Sequence, residues 1–238
     1  MKAIVLAAGV GSRLKPLTDT TPKCLVDICG RPILEIWLRQ LLANGIDEVL
    51  INTHHHASLV ETFLDKLRVS SKFESLRIVT SNEQVLLGSA GTLVQNLDFV
   101  GDDDNVFVCN ADTLTDFPVS KLIQVHENSG LAATIGYFVS EAPSEVGILE
   151  LDERGVLVNF FEKPQVPRGN LANAGVYVFS TAALCKLSTS RPLDIAYDLL
   201  PALLGRAQGH SLAGYVLQDV GSPATLELAR AIWAQKLC

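Results

Sequence analysis

Apolar residues open the chain in an unbroken run at positions 3–8, and a run that short and continuous reads as a strand buried on both faces, spanning 2–7. Pro32 then opens a helix at a position where its missing N–H costs nothing. The apolar face of that helix is Ile33, Leu34, Trp37, Leu38, Leu41 and Leu42. Asn44-Gly45 is a helix stop, and 48–52 reads as a second strand, giving a β-loop-α-β beginning. Further strands are predicted at 76–80, 106–110, 131–139 and 176–179, and helices at 57–68, 90–97, 118–128, 194–204 and 223–236. Such alternation predicts the α/β class: one open, mostly parallel, Rossmann-like sheet with helices on both faces. Between 145 and 162 the period changes. Two apolar stretches at 146–151 and 156–160 flank Asp152-Glu-Arg-Gly155, which predicts a hairpin within a small antiparallel insertion, with Gly155 supplying the positive φ of the turn.

Composition narrows this picture. At 238 residues and 48% hydrophobic content the chain can fill a sizeable core, and a single domain over 1–238 accommodates it. A net charge of −7 argues against a nucleic-acid footprint, so any cations that matter are local. The five cysteines (Cys24, Cys29, Cys109, Cys185 and Cys238) are odd in number and lack C-x-x-C spacing, which fits a reduced cytoplasmic interior better than a disulfide framework or zinc knuckle. No stretch approaches eighteen uninterrupted apolar residues, and the chain starts directly on a strand, so neither a membrane span nor secretion is expected.

The loop after the first strand carries the chemistry. It reads Gly9-Val-Gly11-Ser12-Arg13, Pro16-Leu-Thr18, then Thr21-Pro22-Lys23. Two glycines let backbone approach phosphate, and Arg13 and Lys23 place charge at two points along a polyphosphate. A Walker A loop is ruled out because Arg13 stands four residues after Gly9 with no Gly-Lys pair following. The dinucleotide fingerprint fails because Leu14 stands where a third glycine is needed. Gly-x-Gly alone would be a chance turn after a strand; the whole string through Pro22-Lys23 instead resembles the signature of the sugar-1-phosphate nucleotidylyltransferases, the NDP-sugar pyrophosphorylases.

Five more motifs follow that resemble the same family. Asn110-Ala111-Asp112 ends the 106–110 strand, where Asp112 either holds Mg²⁺ through hard oxygen or caps the next turn. Gln218-Asp219-Val-Gly221-Ser222-Pro223 resembles the family's Asp-x-Gly-Thr-Pro element, so Asp219 is the second candidate carboxylate, while Ser222-Pro223 is also an ordinary helix start. Glu162-Lys163-Pro164 and Asn173-Ala174-Gly175 are, by resemblance, the segments that bind sugar hydroxyls and, through the lysine, the sugar phosphate; a solvated Glu-Lys turn is the plainer alternative. Glu83 and Leu87-Gly88-Ser89-Ala90-Gly91 resemble the family's nucleobase loop, with Glu83 able to accept from guanine N–H groups. His54-His55-His56 lacks the spacing of a metal site, and Asp102-Asp-Asp104 reads as a solvated turn.

The resemblance implies a nucleotide-diphospho-sugar transferase fold and an enzyme that joins a nucleoside triphosphate to a sugar 1-phosphate, with Mg²⁺ as cofactor. Its implied catalytic residues are Arg13, Lys23 and Lys163. Leu6, Ala8, Gly9, Gly11, Ser12, Glu83, Gly88, Ser89 and Ala90 would line the nucleotide; Asn110, Gly147, Glu162 and Asn173 the sugar; Asp112 and Asp219 the metal. The implied partners are the two substrates alone, with no nucleic acid or membrane, and the state is a monomer or homodimer. GTP with mannose 1-phosphate or a manno-configured heptose 1-phosphate is the expected pair. The alternatives are UTP or dTTP as donor, a phosphocholine-type transferase with no use for Glu162 and Asn173, and a non-catalytic NDP-sugar-binding subunit. Ala111, Val146 and Gln218 depart from the family's usual residues.

Overall fold

The structure is a computed structural model that describes residues 1–187 and 192–237; Cys238 lies outside the described residues. In chain order the strands are β1 (Lys2–Leu6), β2 (Asp27–Ile28), β3 (Arg31–Pro32), β4 (Glu48–Thr53), β5 (Arg77–Asn82), β6 (Asn105–Asn110) and β7 (Thr113–Thr115). They continue with β8 (Ala133–Val139), β9 (Gly147–Leu151), β10 (Leu157–Glu162), β11 (Leu171–Ser180), β12 (Ala207–Ser211) and β13 (Leu217–Asp219). The α-helices are α1 (Ile33–Ala43), α2 (Ala57–Arg68), α3 (Ser89–Gln95), α4 (Leu97–Val100), α5 (Val119–Ser129), α6 (Thr181–Leu184), α7 (Leu200–Ala202) and α8 (Pro223–Leu237). The chain has the α/β fold expected from its alternating pattern. It forms two compact units: an N-terminal unit of Ala3–Leu86, Asn110–Phe117 and Val216–Cys238, and a central unit of Met1–Lys2, Leu87–Cys109 and Pro118–Tyr215.

In the N-terminal unit, β1 pairs parallel with β4 and β4 parallel with β5, with α1 and α2 as the crossovers. Ala3, Ile4 and Val5 of β1 and Val49, Leu50 and Ile51 of β4 are buried, which is why these strands read as continuous apolar runs. Pro32 sits one residue before the helix proper, extended at ψ 145, and Gly45 ends the helix region at φ 83. Ile33, Leu34, Trp37, Leu38 and Leu41 are buried as the periodicity required; Ile36 joins them and Leu42 is only half-buried. Each such leucine contributes roughly 1.5–3 kcal/mol by leaving water. Trp37 Nε1 donates to the Thr113 carbonyl at 2.8 Å, tying α1 to the short β7, which pairs antiparallel with β13. Sequence periodicity missed β7 and β13 because three residues show no period.

The central unit is organised on β11, which runs antiparallel to β6 and to β8. Parallel β12 lies beyond β8, while β9 joins β11 at Ala172↔Ile148 and carries β10 on its far side. The expected hairpin is β9–β10: Gly155 has φ 78, and Asp152 Oδ1 accepts from the N–H groups of Arg154 and Val156. On β11 the register shifts between Asn173↔Tyr137 and Tyr177↔Ile135, so Asn173-Ala174-Gly175 is a bulge rather than the approach to a strand. The 90–97 helix is split into α3 and α4, and 194–204 is a π-helical turn at Ile195–Leu199 running into α7. Among the described residues no helix is long and apolar enough to cross a membrane.

Candidate active site

The glycine loop leaves β1 in three successive single 3₁₀ turns, Ser12–Leu14, Leu17–Asp19 and Lys23–Leu25. Buried Leu14, Thr18 and Cys24 pin them down, leaving Ser12 and Arg13 exposed. Gly11 has φ 68, and a Cβ there would lie 2.9 Å from Thr18 Cγ2 and 3.1 Å from Lys23 Cβ. The second glycine is therefore the point where the loop folds back onto the segment carrying Lys23. Thr18 Oγ1 donates to the Gly11 carbonyl at 2.8 Å and closes the same turn.

Lys23 is delivered by this fold to Asp112: Nζ and Oδ2 are 2.5 Å apart, with the lysine side chain only 11% exposed. Asp112 in turn is held from two directions. The Ala111 N–H donates to the Leu6 carbonyl at 3.0 Å, and the Val220 N–H donates to the Asp112 carbonyl at 2.8 Å, which brings the Asp219 segment alongside. Partial burial of the Asp219 carboxyl and then the charge of Asp112 hold it above the ordinary carboxylate range, against the pull of Lys23, Arg13 and the Gly221 N–H. The residue as a whole is exposed, and its carboxyl lies beside Gly221, where a Cβ would meet Asp219 Oδ2 at 2.5 Å and Arg13 Nη2 at 2.7 Å. Leu6, Ala7, Gly9, Lys23, Cys24, Asn110, Ala111 and Asp112 line a cavity of about 220 Å³. Burial pushes the Cys24 thiol up to about 12, so it packs as a small apolar group.

Two carboxylates beside a cation and a phosphate-sized cavity make a donor set suited to Mg²⁺, which binds through one or two carboxylates and fills its remaining positions with phosphate and water oxygens. Among the described residues no cluster of three or more His, Cys, Asp or Glu side chains could hold a metal by itself. The three histidines are otherwise engaged: His54 Nδ1 lies 2.7 Å from the Glu83 carbonyl and His56 Nε2 3.1 Å from the Asp19 carbonyl, while the rings of His55 and His56 lie against each other.

Glu83 is 5% exposed, and its Oε1 accepts from Asn52 Nδ2 at 2.8 Å; Asn52 Oδ1 accepts from the Ala7 N–H at 2.6 Å. From the sequence Glu83 is expected at the nucleobase and Asn52 only at the end of the second strand. The available signal was a lone amide at the end of an otherwise apolar strand.

In the central unit, Glu162 lies opposite Gly147 in the hairpin register, and a Cβ at Gly147 would meet Glu162 Oε2 at 2.7 Å and Phe160 Cζ at 2.5 Å. Glycine there lets the Glu162 carboxylate lie across the neighbouring strand. Burial, with Asp194 adding to it, raises the Glu162 carboxyl; Lys163, with Nζ 3.7 Å away, opposes the shift. Lys163 has φ 46, a left-handed conformation unusual for lysine, and its N–H donates to the Val146 carbonyl at 3.2 Å. Asn173 Nδ2 donates to the Tyr177 hydroxyl at 2.7 Å, and its Oδ1 accepts from the Gly175 N–H at 3.1 Å, so the bulge fixes the amide. The Leu87–Gly91 loop is fastened to Leu193: the Ala90 and Gly91 N–H groups donate to the Leu193 carbonyl at 3.0 and 3.1 Å, and the Leu193 N–H to the Leu87 carbonyl at 2.8 Å. Ser89 Oγ donates to Asp194 Oδ2 at 2.9 Å and accepts from the Ile195 N–H at 2.8 Å. Leu193, Asp194 and Tyr177 were not singled out from the sequence, since each acts through another residue.

A glycine loop carrying Arg13 and Lys23, with Asp112 just past β6 and Asp219 at the end of β13, thus sits on an α/β scaffold. A family model described as Nucleotidyl transferase matches residues 2–235, and the chain belongs to that family. It is 32% identical over 241 aligned positions to the mannose-1-phosphate guanylyltransferase catalytic subunit beta of Xenopus tropicalis, covering 100% of this chain and 66% of that protein. With the Dictyostelium discoideum protein of the same name it shares 34% over 226 positions, 94% of this chain and 62% of the other. The chain thus spans slightly less than two thirds of the length of these relatives. Its fold matches a putative glucose-1-phosphate thymidylyltransferase from Bacillus anthracis in complex with a sucrose (TM-score 0.86, 23% identity, 98% of this chain and 94% of that one). It also matches HddC from Yersinia pseudotuberculosis (TM-score 0.81, 20% identity, 98% and 99%).

Proposed function

We propose that this protein is a cytoplasmic enzyme that transfers a nucleotidyl group from a nucleoside triphosphate to a sugar 1-phosphate. The donor is GTP and the acceptor mannose 1-phosphate or a manno-configured heptose 1-phosphate. An oxygen of the sugar phosphate attacks the α-phosphorus in line, the bond from that phosphorus to the bridging oxygen breaks, and pyrophosphate leaves. The attacking group is already an anion, so the protein has little acid–base work to do and its contribution is positioning and charge neutralisation. Arg13 neutralises the departing pyrophosphate. Lys23 and Lys163 offset charge on the reacting phosphates, while Leu6, Ala8, Gly9, Gly11 and Ser12 bring backbone to the triphosphate. Gly88, Ser89 and Ala90 present backbone to the base; Asn110, Gly147, Glu162 and Asn173 take the sugar. Asp112 and Asp219 would hold Mg²⁺, which when bound draws phosphate oxygens together and withdraws charge from them.

The observation that carries this reading is the Lys23–Asp112 contact at the mouth of the glycine loop, with the Asp219 carboxyl and the Arg13 guanidinium both packed against Gly221. Guanine and a manno-configured sugar are supported by the names of the relatives at 32–34% identity. Pyrophosphate release measured over a matrix of triphosphates and sugar 1-phosphates tests the reading. The highest rate is expected for GTP with a manno-configured acceptor. Glu162→Ala and Asn173→Ala are expected to raise KM for the sugar phosphate more than for the nucleotide. Release with phosphocholine and none with any sugar phosphate would overturn it.

A further inference from the structure

Strand β1 stops pairing with β4 at Leu6↔Asn52, and the next N–H, that of Ala7, lies past the end of that ladder. Asn52 supplies a partner from its own side chain. Its Oδ1 takes the Ala7 N–H at 2.6 Å in place of the next backbone carbonyl, at the residue where the chain must leave the sheet and enter the glycine loop. A free amide could present either its oxygen or its nitrogen to Ala7. Glu83 removes that choice: its Oε1 accepts from Asn52 Nδ2 at 2.8 Å, so only the oxygen can face the Ala7 N–H. Glu83 is itself fixed through its backbone, its N–H donating to the Thr53 carbonyl at 2.8 Å and its carbonyl lying 2.7 Å from His54 Nδ1. Asn52 and Glu83 are 4% and 5% exposed, a depth at which a misdirected polar group is costly. Ala7 itself lines the cavity that Leu6, Gly9, Lys23 and Asp112 share.

We propose that Asn52 and Glu83 are positioning residues for nucleotide binding: a two-step relay from Glu83 through Asn52 to the Ala7 N–H that sets the exit angle of the glycine loop, with Glu83 acting through Asn52 rather than by reading the base. The proposal rests on the nucleotide-loop function given above.

Reversing the sense of one hydrogen bond tests it. In Asn52→Asp one carboxylate oxygen still accepts from Ala7, but the other opposes Glu83, and the relay breaks. Adding Glu83→Gln supplies an amide nitrogen that donates to the carboxylate introduced in place of the Asn52 amide, and the relay is restored with the donor on the other side. Two readouts are taken on the full chain: hydrogen exchange of the Ala7 amide without nucleotide, and the Kd values for GTP and UTP. Asn52→Asp and Asn52→Ala are expected to lose Ala7 protection and to weaken both nucleotides roughly tenfold, the scale for breaking a buried charge-assisted hydrogen bond. The double variant is expected to recover protection and affinity with the GTP to UTP ratio unchanged. Thermal melting of each variant separates loss of the relay from loss of the fold. An unprotected Ala7 amide in the unmodified protein overturns the relay whatever the nucleotide data. Recovery of Ala7 protection in the double variant with selective loss of GTP assigns Glu83 to the base and overturns the proposal. A protected, restorable Ala7 amide in a protein that binds no nucleotide keeps the relay and overturns the function instead.

Discussion

Lys23 and Asp112 meet across 89 positions of sequence because the loop and the end of β6 are both fastened to Leu6, the one through the chain and the other through the Ala111 N–H. Neutralising either partner should disable the reaction without unfolding the protein, because Asp112 keeps its backbone bond to Val220 and Lys23 its buried stem. Asp112→Asn and Lys23→Met are each expected to cut kcat by roughly a hundredfold or more, the scale of losing a transition-state charge contact. Steady-state kinetics with far-UV circular dichroism checks this. Chelation of Mg²⁺ is expected to abolish turnover and addition of Mg²⁺ to restore it, which a pyrophosphate-release assay reads directly. Lys23 and Asp112 could each be singled out from sequence because the motifs that carry them use few residue types at constrained spacings, but their contact with each other could not. Asn52 could not be singled out, since a positioning amide leaves no spacing signature, only a polar residue where a strand ends.

Elements with a strong period were the most readable. The 57–68 helix matches α2 at both ends, because Val60, Leu64 and Leu67 form one buried stripe. Strand β12 was overlooked, since its Ala207-Gln-Gly-His-Ser211 is poor in β-branched residues and is a strand only because β8 offers a parallel edge. Gly209 there lies against Leu151 and Tyr137, with no room for a side chain. A comparable contact governs the loop before α3. Gly88 has φ 80, and a Cβ would stand 2.2 Å from the Leu193 carbonyl oxygen, the atom that accepts from Ala90 and Gly91. Gly88→Ala is therefore expected to destabilise the protein by about 1–3 kcal/mol and to weaken nucleotide affinity. Urea unfolding and titration with GTP check the two effects separately.

For the molecule as a whole, stability should depend on pH through the central unit. Burial pulls the His126 pKa down from the usual 6.5, and burial together with Lys121 does the same for His210. His126 lies with Nδ1 3.1 Å from Thr134 Oγ1 and Nε2 2.9 Å from Asn105 Oδ1. In the unfolded chain both rings take up protons near pH 6.5 and in the folded chain only at lower pH, so the unfolded state binds more protons in that interval. Stability is then fully present above about pH 6.5 and falls as acid is added below it. Thermal melting from about pH 8 to about pH 5.5 is expected to show Tm declining below pH 6.5, with a shallower decline in His126→Gln.

The N-terminal unit is assembled from Ala3–Leu86, Asn110–Phe117 and Val216–Cys238, whereas the central unit needs nothing beyond Tyr215. On the ribosome, the stretch that supplies Lys23 waits for the stretch that supplies Asp219 while about a hundred and thirty intervening positions are made and folded. Its surfaces meet late, at high contact order, so the pairing of the Asp112 segment with the Asp219 segment is among the last features the growing chain completes. A nascent chain that has yet to emit β13 therefore carries its cationic loop without Asp219, though every residue of its central unit has been made.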